Sequence, residues 1–485
     1  MATGGLSLDF RFFRNVLALA KQFSVPSILG GGVVSSEPER IIRALEPSYA
    51  VLSEGERTIV ELLSCLEKNG DLLAVKGIAF LQNGRYLETA AREPIMDLEQ
   101  LPLPDWEGVG LSSYLDKMKP SDGLGWDLFD FPRQVPFLTA RSCLYSCTFC
   151  FHPIGKKYRQ RSLDSVFQEL EIIISKFKIN IIEIVDELFS VDIVRVKEFC
   201  LRFRGLAAKF DWPVKWWCQI RVDKVTDEML SLMEESGCFL VSYGFESYSE
   251  RVLRSMKKNI SPSQIENAVK LTQRKRLSLQ GNFIFGDRAE TFETVSETME
   301  FWKKNRKAGI LLGIILPLPN SDLYQYCLRK GLIQNPIKFI ENHMWNPINL
   351  TELGDWDFAR LLHMVKIARL KYCVRAIPQE VTRNLVVVVC PFCKQRIVYR
   401  NFDITFENQD LFRLPSTLAF FNKMVFCRNC RKRFYASSKL FRLFSHLIQF
   451  FSTPLGHFFH LKRTKNSVSL PWLGNLRLFQ GRKID

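Results

Sequence analysis

The chain has 485 residues, room for about three domains on ordinary domain sizes, and its 47% hydrophobic and 24% charged residues are those of a globular protein rather than a disordered or fibrous one. No run of about 18 apolar residues occurs, and Arg11, Arg14 and Lys21 interrupt the first apolar stretch, so neither a membrane-spanning helix nor a secretory leader is expected and the protein is read as cytoplasmic. The net charge of +16 is concentrated: Val381 to Asp485 holds 18 Lys and Arg against 4 Asp and Glu, leaving the first 380 residues at +2, too little to imply a polyanionic partner for them.

In a reducing compartment thirteen cysteines argue for metal rather than disulfides. Seven fall into metal-like spacings. Cys65, Cys200, Cys218, Cys238, Cys327 and Cys373 are scattered through apolar surroundings and read as buried small hydrophobes.

Residues 1–100 read as a partial α/β domain. Val25 to Gly32 runs as a strand into a Gly-Gly-Gly turn, where backbone without Cβ can press against a bulky ligand. Val51-Leu-Ser-Glu-Gly-Glu56 and a helix from Thr58 follow, and residues 101–134 open with Leu-Pro-Leu-Pro-Asp-Trp106, a proline-stiffened linker.

Residues 135–335 alternate strand and helix patterns six times. Strands are expected at Val135 to Ala140, Asn180 to Asp186, Val214 to Val222, Cys238 to Glu246, Ser278 to Gly286 and Gly309 to Pro317. Helices are expected at Leu163 to Phe177, Val191 to Lys209, Thr226 to Ser236, Pro262 to Lys275, Thr291 to Lys307 and Asp322 to Lys330. Repeated β-α units imply a parallel sheet covered by helices, which right-handed crossovers curl toward a partial barrel. Chemistry in such folds collects at the carboxyl ends of the strands.

There, after the first strand, stand Cys143, Cys147 and Cys150, spaced C-x3-C-x2-C in Thr139-Ala-Arg-Ser-Cys-Leu-Tyr-Ser-Cys-Thr-Phe-Cys. Three thiolates on one loop can hold three irons of a four-iron cluster and leave the fourth iron open to a non-protein ligand. A zinc loop or three unrelated core cysteines is the bland alternative. The following strand ends carry Asp186 and Glu187, expected to face the mouth, then Arg221, whose planar fork suits a carboxylate. Next come Tyr243-Gly-Phe-Glu-Ser247 and Gly281-Asn-Phe-Ile-Phe-Gly286, the latter followed by Asp287, Glu290 and Thr291. Polar groups converging from several strands suit a nucleoside with an amino-acid tail.

The cysteine loop resembles the signature of the radical SAM superfamily. Together with Tyr158-Arg-Gln-Arg-Ser162, Asp186-Glu-Leu-Phe189, Gly244-Phe-Glu-Ser247, Phe283-Ile-Phe-Gly-Asp287, Glu290-Thr291 and Leu323-Tyr324 it resembles the cobalamin-dependent class, in particular the branch with the anaerobic magnesium-protoporphyrin cyclase and the hopanoid methylases. The resemblance covers roughly residues 24 to 335. It implies a 4Fe-4S cluster on Cys143, Cys147 and Cys150 with S-adenosylmethionine on the open iron. It further implies that Phe149 packs by the adenine, that Glu187, Arg221, Glu246 and Ser247 serve ribose and aminoacyl contacts, that Gly244 belongs to the cofactor-binding set, and that Gly286 lets backbone approach the adenosine. It implies that residues 1–100 match the second half of a cobalamin-binding fold. The first half has no counterpart and no histidine precedes His152, so cobalamin is left open.

A helical extension is expected over 336–385. Over 386–435, Cys390-Pro-Phe-Cys393 and Cys427-Arg-Asn-Cys430 have the spacing of a ribbon-type structural zinc site, with a second iron-sulfur cluster or free thiols as alternatives. The basic tail 436–485 places Leu440, Phe441, Phe444, Leu447, Ile448 and Phe451 at helical spacing, a face that covers the barrel or a partner, or docks peripherally on an anionic membrane surface, with nucleic acid as the weakest alternative on the ribbon and the charge run Arg431-Lys-Arg433. The expected fold is therefore α/β: a partial (β/α)6 radical SAM barrel, preceded by a partial doubly wound α/β domain and followed by a small zinc ribbon. The expected activity is reductive cleavage of S-adenosylmethionine to drive methylation, oxidation or cyclisation at an unactivated carbon of a small molecule or lipid. A low-potential donor such as flavodoxin or ferredoxin would feed it. An RNA-modifying enzyme and a non-catalytic iron-sulfur protein are the competing readings. Against the first, only Cys65 is present where the methylthiolating RNA enzymes carry three N-terminal cysteines.

Overall fold

The computed structural model describes residues 10–342, 347–404 and 421–443. Its centre is one parallel sheet. Six strands, Gln134–Phe137, Ile181–Ile184, Lys215–Ile220, Cys238–Glu246, Ser278–Phe285 and Ile310–Ile314, lie side by side in chain order, and each neighbouring pair is parallel. The first and last strands do not pair, so the sheet is the open, partial barrel expected.

The helices that follow the strands begin where their caps dictate. Leu163–Phe177, Ile193–Ala207, Asp227–Glu235, Pro262–Gln273, Phe292–Lys304 and Asp322–Arg329 begin after Ser162, Asp192, Thr226, Ser261, Thr291 and Ser321, and each of these side chains accepts a first-turn amide. A cap of this kind is worth about 1 kcal/mol, which fixes where the helix starts rather than whether it forms. The packing face of the sheet supplies the larger energy. Cys238–Glu246 is buried along nearly its whole length, as a central parallel strand covered on both faces must be. Trp216, Phe199, Phe203 and Phe189 interlock beneath it with ring centroids 5.1–5.9 Å apart.

The amino-terminal domain is smaller and mixed. After helix Phe10–Gln22, strands Ile28–Gly30 and Tyr49–Val51 pair in parallel, and the hairpin Ile78–Gln82/Arg85–Glu88 adds antiparallel to the second of them. The doubly wound character therefore extends over one parallel pair only.

The carboxyl-terminal ribbon is built from two three-stranded sheets. One contains Glu380–Thr382, Leu385–Val389 and Arg396–Arg400; the other contains Arg375–Ala376, Arg433–Ser437 and Asn422–Phe426. Ribbon strands thus begin at Arg375, inside the span expected to be a helical extension. Helix Asp355–Tyr372 accounts for the middle of that span. Residues 439–443 are helical, and the rest of the apolar face expected up to Phe451 lies outside the described residues. No described helix is long and apolar enough to cross a membrane.

Candidate functional site

The cysteine loop is held from both sides. Asp186, at the end of the second strand, accepts from the amides of Thr139 (2.7 Å) and Ala140 (3.0 Å) and from the Thr139 hydroxyl. It is buried, and burial pushes its carboxyl up to about 6 against those hydrogen bonds. The expectation that Asp186 faces the mouth is therefore corrected: it ties the first two strand ends together. The chain next forms the short hairpin Ala140–Arg141/Arg159–Gln160 and enters the loop through Ser142, which takes a left-handed φ of 69°.

That hairpin is clamped by the amino-terminal domain. One Glu54 oxygen accepts from Arg141 at 2.7 Å and the other from Arg159 at 2.6 Å and from the Ile95 amide at 2.8 Å, while Arg141 also reaches Glu56 at 2.5 Å. Glu54 and Arg159 are both buried. Burial alone would raise the Glu54 carboxyl; the bonds from Arg141, Ile95 and Arg159 reverse that and hold it below the usual range. The Val51–Glu56 stretch noted in the sequence is thus a grip on the cluster loop.

The loop itself is pinned to the far side of the sheet. The Thr148 amide donates to Met256 O at 3.0 Å, its carbonyl accepts from the Leu323 amide at 2.8 Å, and Cys147 Sγ lies 3.8 Å from Lys257 O. Cys147 is buried, with Cys143 and Cys150 half-buried beside it. A hydrogen bond from Cys150 pulls the Cys147 thiol down to about 6 against burial, and Lys258 and Arg221 add to the fall. The same bond, with burial, pushes Cys150 up. Burial raises Cys143, and the charge of Glu187 raises it further.

Five of the expected cosubstrate residues gather here. Glu246, at a bulge where the strand turns with φ 60°, forms a buried ion pair with Lys258 at 2.8 Å. The pair lies across Gly244, where a Cβ would stand 2.3 Å from Glu246 Oε1 and 2.8 Å from Lys258 Nζ. The Lys258 ammonium is 5.9 Å from the Phe149 ring, which packs on the apolar cluster of Val252, Met256, Leu323 and Tyr324. Arg221 stacks 3.5 Å over the Tyr145 ring, binds Asp223 at 2.9 Å, and donates to the carbonyls of Lys258 and Asn259 at 3.0 Å. It therefore braces the loop as well as charging it. Glu187 stands beside Cys143, 3.1 Å from Nδ1 of a buried His152, whose Nε2 has no partner.

Two expected residues are not brought to this cluster. Ser247 is buried and bonded to Thr298 Oγ1 at 3.2 Å and to the Ser249 amide at 3.1 Å, so it serves the helix behind the strand. Gly286, at φ 112°, gives its amide to Glu290, a buried carboxyl that burial pushes up to about 8. Sequence reading did not single out Lys258, His152 or Tyr145. Lys258 and Tyr145 carry no local pattern, whereas His152 stands two residues after Cys150 and the proximity was a usable signal.

The other four cysteines sit elsewhere. Among the described residues Cys390, Cys393, Cys427 and Cys430 are a set whose ligand sulfurs all lie within 4.8 Å of one another.

Comparison with known proteins agrees with this geometry. Residues 137–302 match the model of the radical SAM superfamily. An uncharacterized methyltransferase of Pyrococcus horikoshii is 30% identical over 314 residues, covering 63% of this chain and 64% of the relative. The anaerobic magnesium-protoporphyrin IX monomethyl ester cyclase of Rubrivivax gelatinosus is 26% identical over 283 residues, 57% of this chain and 48% of the relative. The chain thus spans between about half and two thirds of the length of these relatives. TsrM from Kitasatospora setae, a radical S-adenosylmethionine methyltransferase solved with cobalamin and a [4Fe-4S] cluster bound, superposes with a TM-score of 0.55 at 17% identity over 68% of this chain and 63% of that one, a likeness of fold. The loop of three cysteines at the carboxyl edge of an open six-stranded parallel sheet, and the family match across it, make residues 137–302 a radical SAM domain.

Proposed function

We propose that the chain is a radical SAM enzyme in which Cys143, Cys147 and Cys150 hold three irons of a 4Fe-4S cluster and the fourth iron takes S-adenosylmethionine. When bound and reduced by an external donor, that cluster would pass one electron to the sulfonium of S-adenosylmethionine, giving methionine and a 5'-deoxyadenosyl radical able to take hydrogen from an unactivated carbon. The observation that carries the reading is the loop of three thiols with no fourth cysteine beside it, placed where parallel α/β barrels collect their chemistry.

The chain's own residues then have separate tasks. Lys258 and Arg221 place two cations against the thiolates, which favours their deprotonated, metal-binding form. Glu246 compensates Lys258, and the pair lies over the Gly244 backbone. Phe149 presents an apolar face next to the last cysteine, suited to a purine. Glu187, half-exposed and oriented by His152, is the carboxylate free to meet hydroxyl or ammonium groups of the cosubstrate.

Cobalamin fits the amino-terminal glycine turn poorly. A Cβ on Gly32 would stand 2.6 Å from the Phe151 ring, so the cluster loop already fills that side. The hollow beside the turn, lined by Phe10, Phe13, Leu29, Val33 and Leu45 among others, spans at most about 380 Å³ even counting space open to solvent, too little for a corrin. Methylation, oxidation or cyclisation of a small molecule is the reaction class, with a low-potential donor protein as reductant.

Anaerobic reconstitution with iron and sulfide, then dithionite and S-adenosylmethionine, tests the reading. Formation of 5'-deoxyadenosine supports it, and an intact cluster that yields none removes the enzymatic role. S-Adenosylhomocysteine formed alongside, with added hydroxocobalamin and not without it, would show that the glycine turn opens to admit the corrin.

A further inference from the structure

We infer that Cys390, Cys393, Cys427 and Cys430 bind one Zn²⁺, and that this ion locks a ribbon whose arginines close the amino-terminal end of the barrel, opposite the cluster loop. The sulfur geometry selects a single ion. Cys390 Sγ lies 3.8 Å from Cys430 Sγ, Cys393 Sγ lies 3.5 Å from Cys427 Sγ, and all four fall within 4.8 Å. Four sulfurs at the usual zinc distance of about 2.3 Å sit about 3.8 Å apart on the edges of a tetrahedron. A four-iron cube, with a metal at each of four corners, would hold its cysteine sulfurs much further apart. The three loop cysteines, meant for separate irons, form no such set.

The backbone is shaped for thiolates twice over. Cys390 Sγ accepts from the Phe392 amide at 3.4 Å and Cys427 Sγ from the Cys430 amide at 3.3 Å. Each knuckle then closes identically: the Lys394 amide donates to Cys390 O and the Arg431 amide to Cys427 O. Lys394 and Arg431 both take left-handed conformations, φ 63° and 60°, and the amides of Cys390 and Cys427 donate to Gln395 O and Lys432 O. Two copies of one amide-lined turn facing each other form a closed four-thiolate site, the structural rather than the catalytic type. Zinc suits it because the ion has no redox chemistry to protect and the site keeps no open position.

The second knuckle is the one that meets the barrel. Arg431 donates to Cys238 O at 2.6 Å, Arg433 to Leu279 O and Gly309 O at 2.7 Å each and to Gln280 Oε1 at 2.9 Å, and Asn429 O accepts from Arg276 at 2.8 Å. Cys238, Leu279 and Gly309 stand within one residue of the starts of the fourth, fifth and sixth strands. The ribbon supplies charged donors to those carbonyls. Gly309, at φ 91°, is needed there: a Cβ would meet Leu279 O at 2.3 Å and Arg433 Nη2 at 2.8 Å.

The full chain with Cys143, Cys147 and Cys150 all changed to alanine isolates this site from the barrel loop, so the result does not depend on the proposed activity. Elemental analysis of that protein is expected to give about one zinc per chain and no iron, and exchange for cobalt(II) the intense absorption of tetrahedral thiolate coordination. Iron in place of zinc, or a metal-free folded protein whose four thiols react with Ellman's reagent, overturns the metal assignment. Cys427→Ser in that background is expected to lose the zinc. Arg433→Met is expected to keep the zinc yet raise hydrogen exchange at residues 278–280 and 309–311 by about ten-fold or more, the worth of one buried hydrogen bond. Unchanged exchange there overturns the closing role.

Discussion

The two ends of the barrel carry the same sequence fragment and use it differently. C-x2-C occurs at Cys147–Cys150 and again at Cys390–Cys393 and Cys427–Cys430. At the carboxyl end it sits in a single loop with one more cysteine, flanked by Lys258, Arg221 and Glu187. At the amino-terminal end two copies face each other and their sulfurs converge. An isolated C-x2-C therefore says thiolate ligand and no more. The number of sulfurs that meet, and the charges around them, decide between a reactive site and a closed one.

The largest expected effect separates the two ends outright. Cys147→Ala should abolish the brown chromophore and 5'-deoxyadenosine formation while the zinc content stays at about one per chain, read by visible absorption, product chromatography and elemental analysis. Loss of both metals together would mean that the two ends are not independent.

Next is the clamp on the cluster loop. Glu54→Gln leaves Arg159 buried without its counter-charge, which costs about 3–5 kcal/mol in such pairs. It should lower the melting temperature and speed iron loss from the reconstituted protein. Its pH signature follows from the depressed carboxyl: the stabilisation is present above the unfolded-state value of about 4.3 and is lost as pH falls through the lower folded value. The acid limb of a stability profile should therefore be shallower in the Gln variant than in the parent.

At the other end, Arg433→Met removes the side-chain donors to the carbonyls of Leu279 and Gly309, about 1–3 kcal/mol for each buried group not resolvated. Chemical denaturation checks it, and S-adenosylmethionine cleavage should be unaffected under conditions where the chain is folded.

The smallest effect is at Glu290. Its carboxyl is pushed up to about 8 by burial, so its contribution to stability is fully present below the unfolded-state value of about 4.3 and is lost as pH rises through about 8. Glu290→Gln should remove that alkaline decline, leaving the variant at least as stable as the parent at pH 9 in thermal melts. A parent that does not weaken between pH 6 and 9 would show that the Gly286 amide compensates the carboxylate fully.

Much of the barrel was legible because its signals are local. The helix beginning at Leu163 and the strand Cys238–Glu246 fall where the cap at Ser162 and the unbroken apolar run place them. The ribbon start was not legible: Arg375–Ala376 joins it only through Tyr435 and Ala436, sixty residues later, and its own two residues have no pattern. The site divides the same way. Cys143, Cys147, Cys150 and Glu187 were readable from spacing and strand ends, whereas Ser247 satisfies every sequence criterion and is turned inward to Thr298.

The sequence by itself determined the alternation of strand and helix, the three-thiol loop after the first strand and the paired knuckles, because each is written in neighbouring residues and in the chemistry of their side chains. Tertiary structure alone decided that Glu54 grips the loop from another domain, that Asp186 is spent on strand ends, that Lys258 pairs with Glu246, and that Arg431 and Arg433 reach the opposite end of the barrel. Those are pairings of buried charges and orphaned carbonyls, and a buried polar group takes whichever partner the fold brings within about 3 Å, at any distance along the chain.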